Sequence, residues 1–339
     1  MWSYFLSESN EIMKYRKFGK LNWEVSEIGF GAWAIGGGWG PQSDAESIKA
    51  LHRALDLGVN FIDTAQGYGE GKSEEIIGKV LKERNEQIYV ATKVPPKEFY
   101  WPARIDYDAR KAFPKEYIIE ECEKSLRRLQ RDYVDIYQFH TWSMRFNDQE
   151  EWFEAFEQLK KDGKIRASGA SVPDIDPYFI DGALVEGKID SIQLIYNLFE
   201  QFPAWNTLKV CKANNIGVIV RVPFDEGALT GKYNFETTFP DGDVRQHYFR
   251  GNNLKAVIVR VNEIKNYKDD KHPNLSMADF ALKFCLSNNT VSTVIPGIRN
   301  TKQAELNTLV SDGNYFDNVE MKELEQFTWR KDYWNEEIE

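Results

Sequence analysis

The chain has 339 residues, a length that suits two average domains or a single eight-stranded barrel. Hydrophobic residues make up 42% and charged residues 28%, an ordinary globular balance, and the formal net charge of -10 argues against binding nucleic acid or anionic membranes. Cys122, Cys211 and Cys285 are too few and wrongly spaced for a disulfide framework, which fits a reducing cytoplasm, and no apolar run reaches membrane-spanning length.

Met1 to Ile12 reads as a frayed extension without a basic n-region or a small-residue cleavage site, and Met13 is an alternative start. Residues 13–339 read as one domain. Tyr15–Phe18 and Glu24–Val25 form a candidate β-hairpin. A strand–helix rhythm then begins. Its eight strand candidates are Glu27–Gly31, Asn60–Asp63, Ile88–Lys93, Val134–His140, Ala167–Ser171, Ser191–Leu194, Gly217–Val220 and Thr293–Ile295. Helices fall between them: Ser43-Asp-Ala-Glu46 is a capping box, and Pro114 opens an apolar run at helical spacing. Eight such units predict an α/β fold, a (β/α)8 TIM barrel with a short N-terminal hairpin; an open doubly wound sheet is the alternative. Long connections at Val94–Phe113 and Pro223–Asn253 follow strands, placing them on the C-terminal face. In the first, Phe99, Tyr100, Trp101, Tyr107 and Phe113 suit either substrate-pocket walls or ordinary loop packing.

Gly29-Phe-Gly31-Ala-Trp-Ala34 matches the dinucleotide fingerprint of a different fold, which needs a helix beginning inside the motif. Here a Gly-rich run to Pro41 follows, so the next helix is expected only near Ser43 and that reading is rejected.

Polar residues terminate almost every apolar run: Asp63, Lys93, His140, Ser171, Gln193, Arg221, and Pro296-Gly297 with Arg299. In a barrel these ends share one face, where active sites lie. No metal-ligand spacing and no GxSxG elbow occur. A lysine at a strand end suits a Schiff base, but an ion pair with Asp63 would keep Lys93 charged and fit it to lower the pKa of a nearby phenol. Tyr68 supplies one, with an ordinary pKa of ~10, and His140 could orient a substrate oxygen.

These residues, in order, resemble the aldo-keto reductase family from Met13 onward. The motifs are Asn60-Phe-Ile-Asp-Thr-Ala-Gln-Gly-Tyr68, Gly71-Lys-Ser-Glu-Glu-Ile-Ile-Gly78, Ala91-Thr-Lys93, Leu126 to His140, Gly163-Lys-Ile-Arg-Ala-Ser-Gly169, Gln193-Leu-Ile-Tyr-Asn197, Gly227-Ala-Leu-Thr-Gly-Lys232 and Pro296-Gly-Ile-Arg299. The resemblance implies a catalytic tetrad of Asp63, Tyr68, Lys93 and His140, with Tyr68 as general acid/base, Lys93 and Asp63 tuning it and His140 orienting substrate. It implies NADP(H), favoured over NADH, held by Gly31, Ala32, Trp33, Asp63, Ser171, Gln193, Arg221, Pro223, Gly227, Gly297, Arg299, Gln303 and Asn307. Gln193 would hold the nicotinamide carboxamide, and Arg299 beside a helix start would take a 2′-phosphate. Substrate would meet Trp33, Tyr68, His140, Tyr100 and Trp101.

The expected activity is reduction of an aldehyde or ketone, or oxidation of the matching alcohol or sugar. The expected partners are small molecules, with no metal, nucleic acid or membrane. A cofactor-binding regulatory subunit with little turnover is the alternative, and a lysine-dependent aldolase a third. Two positions depart from the family pattern: Val172 where asparagine is usual, and Arg221 where a stacking tyrosine is usual. An unneutralised Arg221 would favour NADPH over cationic NADP+, unless Asp225 or Glu226 offsets its charge.

Overall fold

The computed structural model describes residues 13–98, 107–336 and 338. The expected terminal extension and the candidate substrate residues Tyr100 and Trp101 lie outside these. Strands β1 (Tyr15–Lys17) and β2 (Glu24–Ser26) form the antiparallel hairpin. Eight parallel strands follow: β3 (Phe30–Gly31), β4 (Phe61–Asp63), β5 (Tyr89–Val94), β6 (Val134–Phe139), β7 (Ile165–Ser171), β8 (Ser191–Ile195), β9 (Gly217–Arg221) and β10 (Thr293–Val294). They hydrogen-bond in chain order, and the parallel bridges Ile28↔Val294 and Gly31↔Gly297 join the first to the last. The sheet therefore curls into the expected barrel, and helices fill the crossovers.

Side chains alternate in and out along each strand, so barrel-facing residues come every second position. Phe61, Tyr89, Ala91, Ile136, Ala167, Ile219 and Ile295 make an apolar core with Phe18 and Val25 of the hairpin. Phe18 stacks on Phe61 at 5.7 Å and Trp23 on Tyr89 at 5.0 Å, so the hairpin closes the barrel at the N-terminal ends of its strands. Two residues further along, Phe61, Ala91, Ile136 and Ile219 give way to Asp63, Lys93, Gln138 and Arg221, while Ser171 lies four beyond Ala167 and Gln193 comes from β8. At Gly169 a Cβ would meet Gln138 Cγ and Ser191 Oγ, each at 2.7 Å; the missing side chain is what admits Gln138 to the interior.

One expectation needs correction. A helical turn does form inside the glycine-rich stretch, Trp33–Gly36, before Gly37 at φ 108° breaks it. It carries no side-chain cap and is one turn long, and β3 pairs with β4 in the barrel, so the alternative fold stays excluded. Cys122, Cys211 and Cys285 are all buried helix residues with free thiols. Among the described residues no helix is long and apolar enough to cross a membrane.

Candidate active site

Strand register brings the polar ends together. Gly31 pairs with Asp63, Lys93 with Gln138, and Ser171 with Gln193. Asp63 is 2% exposed and Lys93 fully buried, with Nζ 2.7 Å from Asp63 Oδ2. The ammonium also donates to Thr64 O at 2.8 Å and to the Tyr68 hydroxyl at 3.1 Å. The other Asp63 oxygen accepts from Gln193 Nε2 at 2.6 Å and Gln138 Nε2 at 3.2 Å. This buried pair is thus saturated with hydrogen bonds, the condition under which a buried charge is tolerable.

Tyr68 reaches Lys93 because two loops touch. Gly69, at φ 66°, has its Cα so close to Gly36 that a Cβ would lie 1.9 Å from Gly36 O. That approach packs Tyr68 beside the turn bearing Trp33, with ring centroids 6.3 Å apart. Ser73 Oγ fastens the two loops by donating to Ala32 O at 3.0 Å. His140 meets the Tyr68 ring edge-on at 5.7 Å.

Burial pushes the Tyr68 phenol up and Asp63 adds to the rise, while Lys93 and, more weakly, Arg221 pull it down; the net direction is up. Lys93 does act as expected, but its pull is smaller than the cost of burying a phenolate, so the phenol is not brought toward neutrality. For Lys93 itself, burial lowers the pKa, yet Asp63 and Tyr68 more than offset it and the ammonium sits above its ordinary value. Burial, then Lys93 and Arg221, holds His140 down at about 3, so its imidazole is neutral across the working range.

The sign of the resulting pH effect is fixed. The folded state keeps His140 neutral down to about 3, while an unfolded histidine protonates near 6.5. Its contribution to stability is present above pH 6.5 and is lost as pH falls toward 3. His140→Gln should therefore show a flatter stability profile across that window, read as urea midpoints; an unchanged profile would refute the assignment.

At the other side of the barrel mouth, Arg221 NH2 bonds Asp174 Oδ1 and donates to Val172 O at 3.1 Å. Its neutralising carboxylate is therefore Asp174, not Asp225 or Glu226. The main-chain carbonyl of Val172 thus helps seat Arg221. Ser171, like Gln193, is buried at the strand ends.

Beyond β10, Gly297 is exposed with open space over its Cα, and Asn300 caps the helix Thr301–Thr308 by accepting from Gln303 N at 2.9 Å. Gln303 Oε1 in turn accepts from Arg299 N at 2.7 Å, which ties Arg299 to the first turn of that helix. Arg299 is steadied by Gln42 Oε1 at 3.1 Å and Pro41 O at 2.6 Å, both neutral acceptors. Asn307 is buried, and its Nδ2 has no partner among the described residues.

Four residues here escaped sequence reading. Gln138 lies two before His140, and that period of two was the available signal. Lys232 closes the motif that begins at Gly227, which was its signal; Arg245 and Trp39 had none, because they meet only through folding of distant loops. Desolvation, then Arg245 and Arg299, pushes the Lys232 ammonium down, which places three cations in one field. Asp243 pairs with Arg245, and Val244 N donates to Gly38 O at 3.0 Å where the loops after β3 and β9 meet. The Arg245 guanidinium lies 4.6 Å over the Trp39 ring. Of the residues in the loop after β5, Phe113 is core rather than pocket wall, packed edge-on to Phe139 at 4.7 Å. Tyr107 stacks on Phe146 at 6.4 Å.

A barrel whose interior polar layer is an Asp–Lys–Tyr chain beside a neutral histidine is matched over residues 27–328 by the family model for the aldo/keto reductase family. The chain belongs to the aldo/keto reductase family. It is 34% identical over 301 residues to aldo-keto reductase YhdN of Bacillus subtilis, covering 86% of this chain and 87% of that protein. The NADH-specific methylglyoxal reductase of Escherichia coli is 34% identical over 259 residues, covering 73% and 78%. Among solved structures, the holo form of an aldo-keto reductase from Bacillus halodurans superposes with a TM-score of 0.74 at 26% identity, covering 95% of this chain and all of that one. As an aldo/keto reductase the chain is an oxidoreductase of a family that uses nicotinamide cofactors on small carbonyl compounds. The residues present fit such a cofactor: the open face of Gly297, the Asn307 amide without a partner among the described residues, and the clustered cations Arg299 and Lys232 suit a polar, anionic ligand.

Proposed function

We propose that the protein reduces an aldehyde or ketone, or oxidises the matching alcohol or sugar, with NADP(H) as cofactor and Tyr68 as general acid/base. The observation carrying this reading is the continuous contact from Asp63 through Lys93 to the Tyr68 hydroxyl at the barrel mouth. NADPH, when bound, supplies the hydride. Tyr68, a phenol protonated at neutral pH and pushed further up by burial, holds the proton that a carbonyl oxygen takes as it gains negative charge. Lys93 stabilises the phenolate left behind, and Asp63 keeps Lys93 charged and fixed. Neutral His140 offers the same carbonyl oxygen a hydrogen bond, which orients it. Residues 13–339 act as one barrel domain on this reading. A panel of aldehydes, ketones and sugars, followed by NADPH absorbance, tests it; no turnover of any would count against it.

Preference for NADPH over NADH is supported by Arg299, which has no carboxylate partner among the described residues, beside Lys232. Arg299→Gln should weaken NADPH binding about tenfold or more, as loss of a charge-assisted bond does, and leave NADH binding unchanged. Equal loss for both cofactors, by fluorescence titration, would reject the 2′-phosphate role.

A further inference from the structure

Strand β9 leaves the barrel through a turn of unusual backbone. Val222, Asp225 and Glu226 have φ of 53°, 47° and 53°, and Gly227 follows at 89°. Only glycine adopts this region freely, yet three residues with side chains, one of them β-branched, are held in it. Such a turn persists only where its surroundings over-determine it. It directly follows Arg221 and ends at Gly227, both read above as cofactor residues.

The restraints come from several elements. Asn197 Nδ2 donates to Val222 O at 2.9 Å and the Tyr233 hydroxyl to Glu226 O at 2.8 Å. Asp225 Oδ1 accepts from the Tyr248 hydroxyl at 3.0 Å and from Lys331 Nζ at 2.6 Å. Lys331 arrives from the C-terminal segment, 106 residues downstream. Its side chain is only 4% exposed and that of Asp225 2%. The rings of Phe199, Tyr248, Trp329 and Tyr333 surround its ammonium at 5.5–5.8 Å. Glu200 Oε1 lies 3.6 Å away. A lysine is almost never buried unless paired, so this one commits the tail to Asp225. Nothing in the Asp63–Lys93–Tyr68 chain requires it.

We propose that Lys331 is a positioning residue for dinucleotide binding: its ion pair with Asp225 clamps the left-handed turn 222–227 and thereby sets where Arg221 and Gly227 meet the cofactor. This rests on the oxidoreductase reading. The two are separated by the wild type, whose failure to bind either NADPH or NADH would overturn that reading before any variant is made.

The test compares Lys331→Met, Lys331→Arg and the double variant Asp225→Asn/Lys331→Met in the full chain. NADPH affinity is read from quenching of the protein's tryptophan fluorescence, alongside steady-state kinetics and amide exchange. Lys331→Met should raise the Kd and KM for NADPH about tenfold, while kcat at saturating cofactor stays within about threefold. Exchange should rise across 222–231, Lys331→Arg should recover most of the affinity, and the double variant should bind better than Lys331→Met because no unpaired charge is left buried. Wild-type affinity in Lys331→Met, or a fall in kcat with Kd unchanged, would overturn the proposal. Should Lys331→Met not fold, the double variant carries the test, since it removes the ion pair without stranding a charge; its Kd should exceed the wild-type value about threefold, and wild-type affinity would overturn the proposal equally.

Discussion

Tyr68→Phe should abolish turnover while leaving NADPH binding intact. The phenyl ring keeps its place against Trp33 and His140 and stays under the Lys93 ammonium, now 4.7 Å from the ring centroid. Only the hydroxyl is lost, and with it the proton a carbonyl oxygen would take. General acid catalysis contributes on the order of 10²–10⁴-fold, so kcat with a good carbonyl substrate should fall by that range. Stability should change by less than about 1 kcal/mol, since Lys93 retains Asp63 and Thr64 O as acceptors. The two readouts are NADPH consumption and cofactor titration on one preparation. Turnover within a few-fold of the wild type would remove Tyr68 from the chemistry.

Lys93→Met should damage both activity and the fold. Methionine fills similar volume but leaves the Asp63 carboxylate buried with only Gln138 and Gln193 as donors. Removing one partner of a buried pair costs about 3–5 kcal/mol, which urea denaturation would resolve easily. The acidifying pull of Lys93 on Tyr68 disappears too, so kcat should drop by at least about 10²-fold. Asp63→Asn/Lys93→Met separates the effects: with no charge left to strand, stability should return toward the wild-type value while turnover stays lost. If the double variant were as unstable as Lys93→Met, the pair would not be what holds this layer together.

Much of this site was legible in the chain. Period-two alternation marks the strands, and a polar residue ending each apolar run marks the face, because parallel strands deliver their C-terminal ends to one rim. Asp63, Lys93 and His140 could be placed that way, and Tyr68 by its five-residue offset from Asp63. Gln138 was within reach of the same alternation. The balance on Tyr68 was not: it weighs burial against one ammonium, and burial depends on the Gly36–Gly69 contact, which no local pattern encodes. Arg221 and its carboxylate, Asp174, lie 47 positions apart and meet through adjacent loops, while Asp225, nearer in sequence, turns to Tyr248 and Lys331. Lys331 was invisible for the same reason, as one of two adjacent basic residues in an aromatic-rich tail.

The hairpin that closes the N-terminal end of the barrel has a kinetic consequence. With Phe18 and Trp23 stacked across that end and the apolar core packed above them, the polar site is a vessel filled from the C-terminal mouth. Whatever enters must leave by the way it came, and so must the water it displaces. Whichever molecule sits deeper is then trapped until the outer one departs. Order of arrival and departure would thus be imposed by the shape of the vessel, and its timing by the rim loops where Val244 meets Gly38.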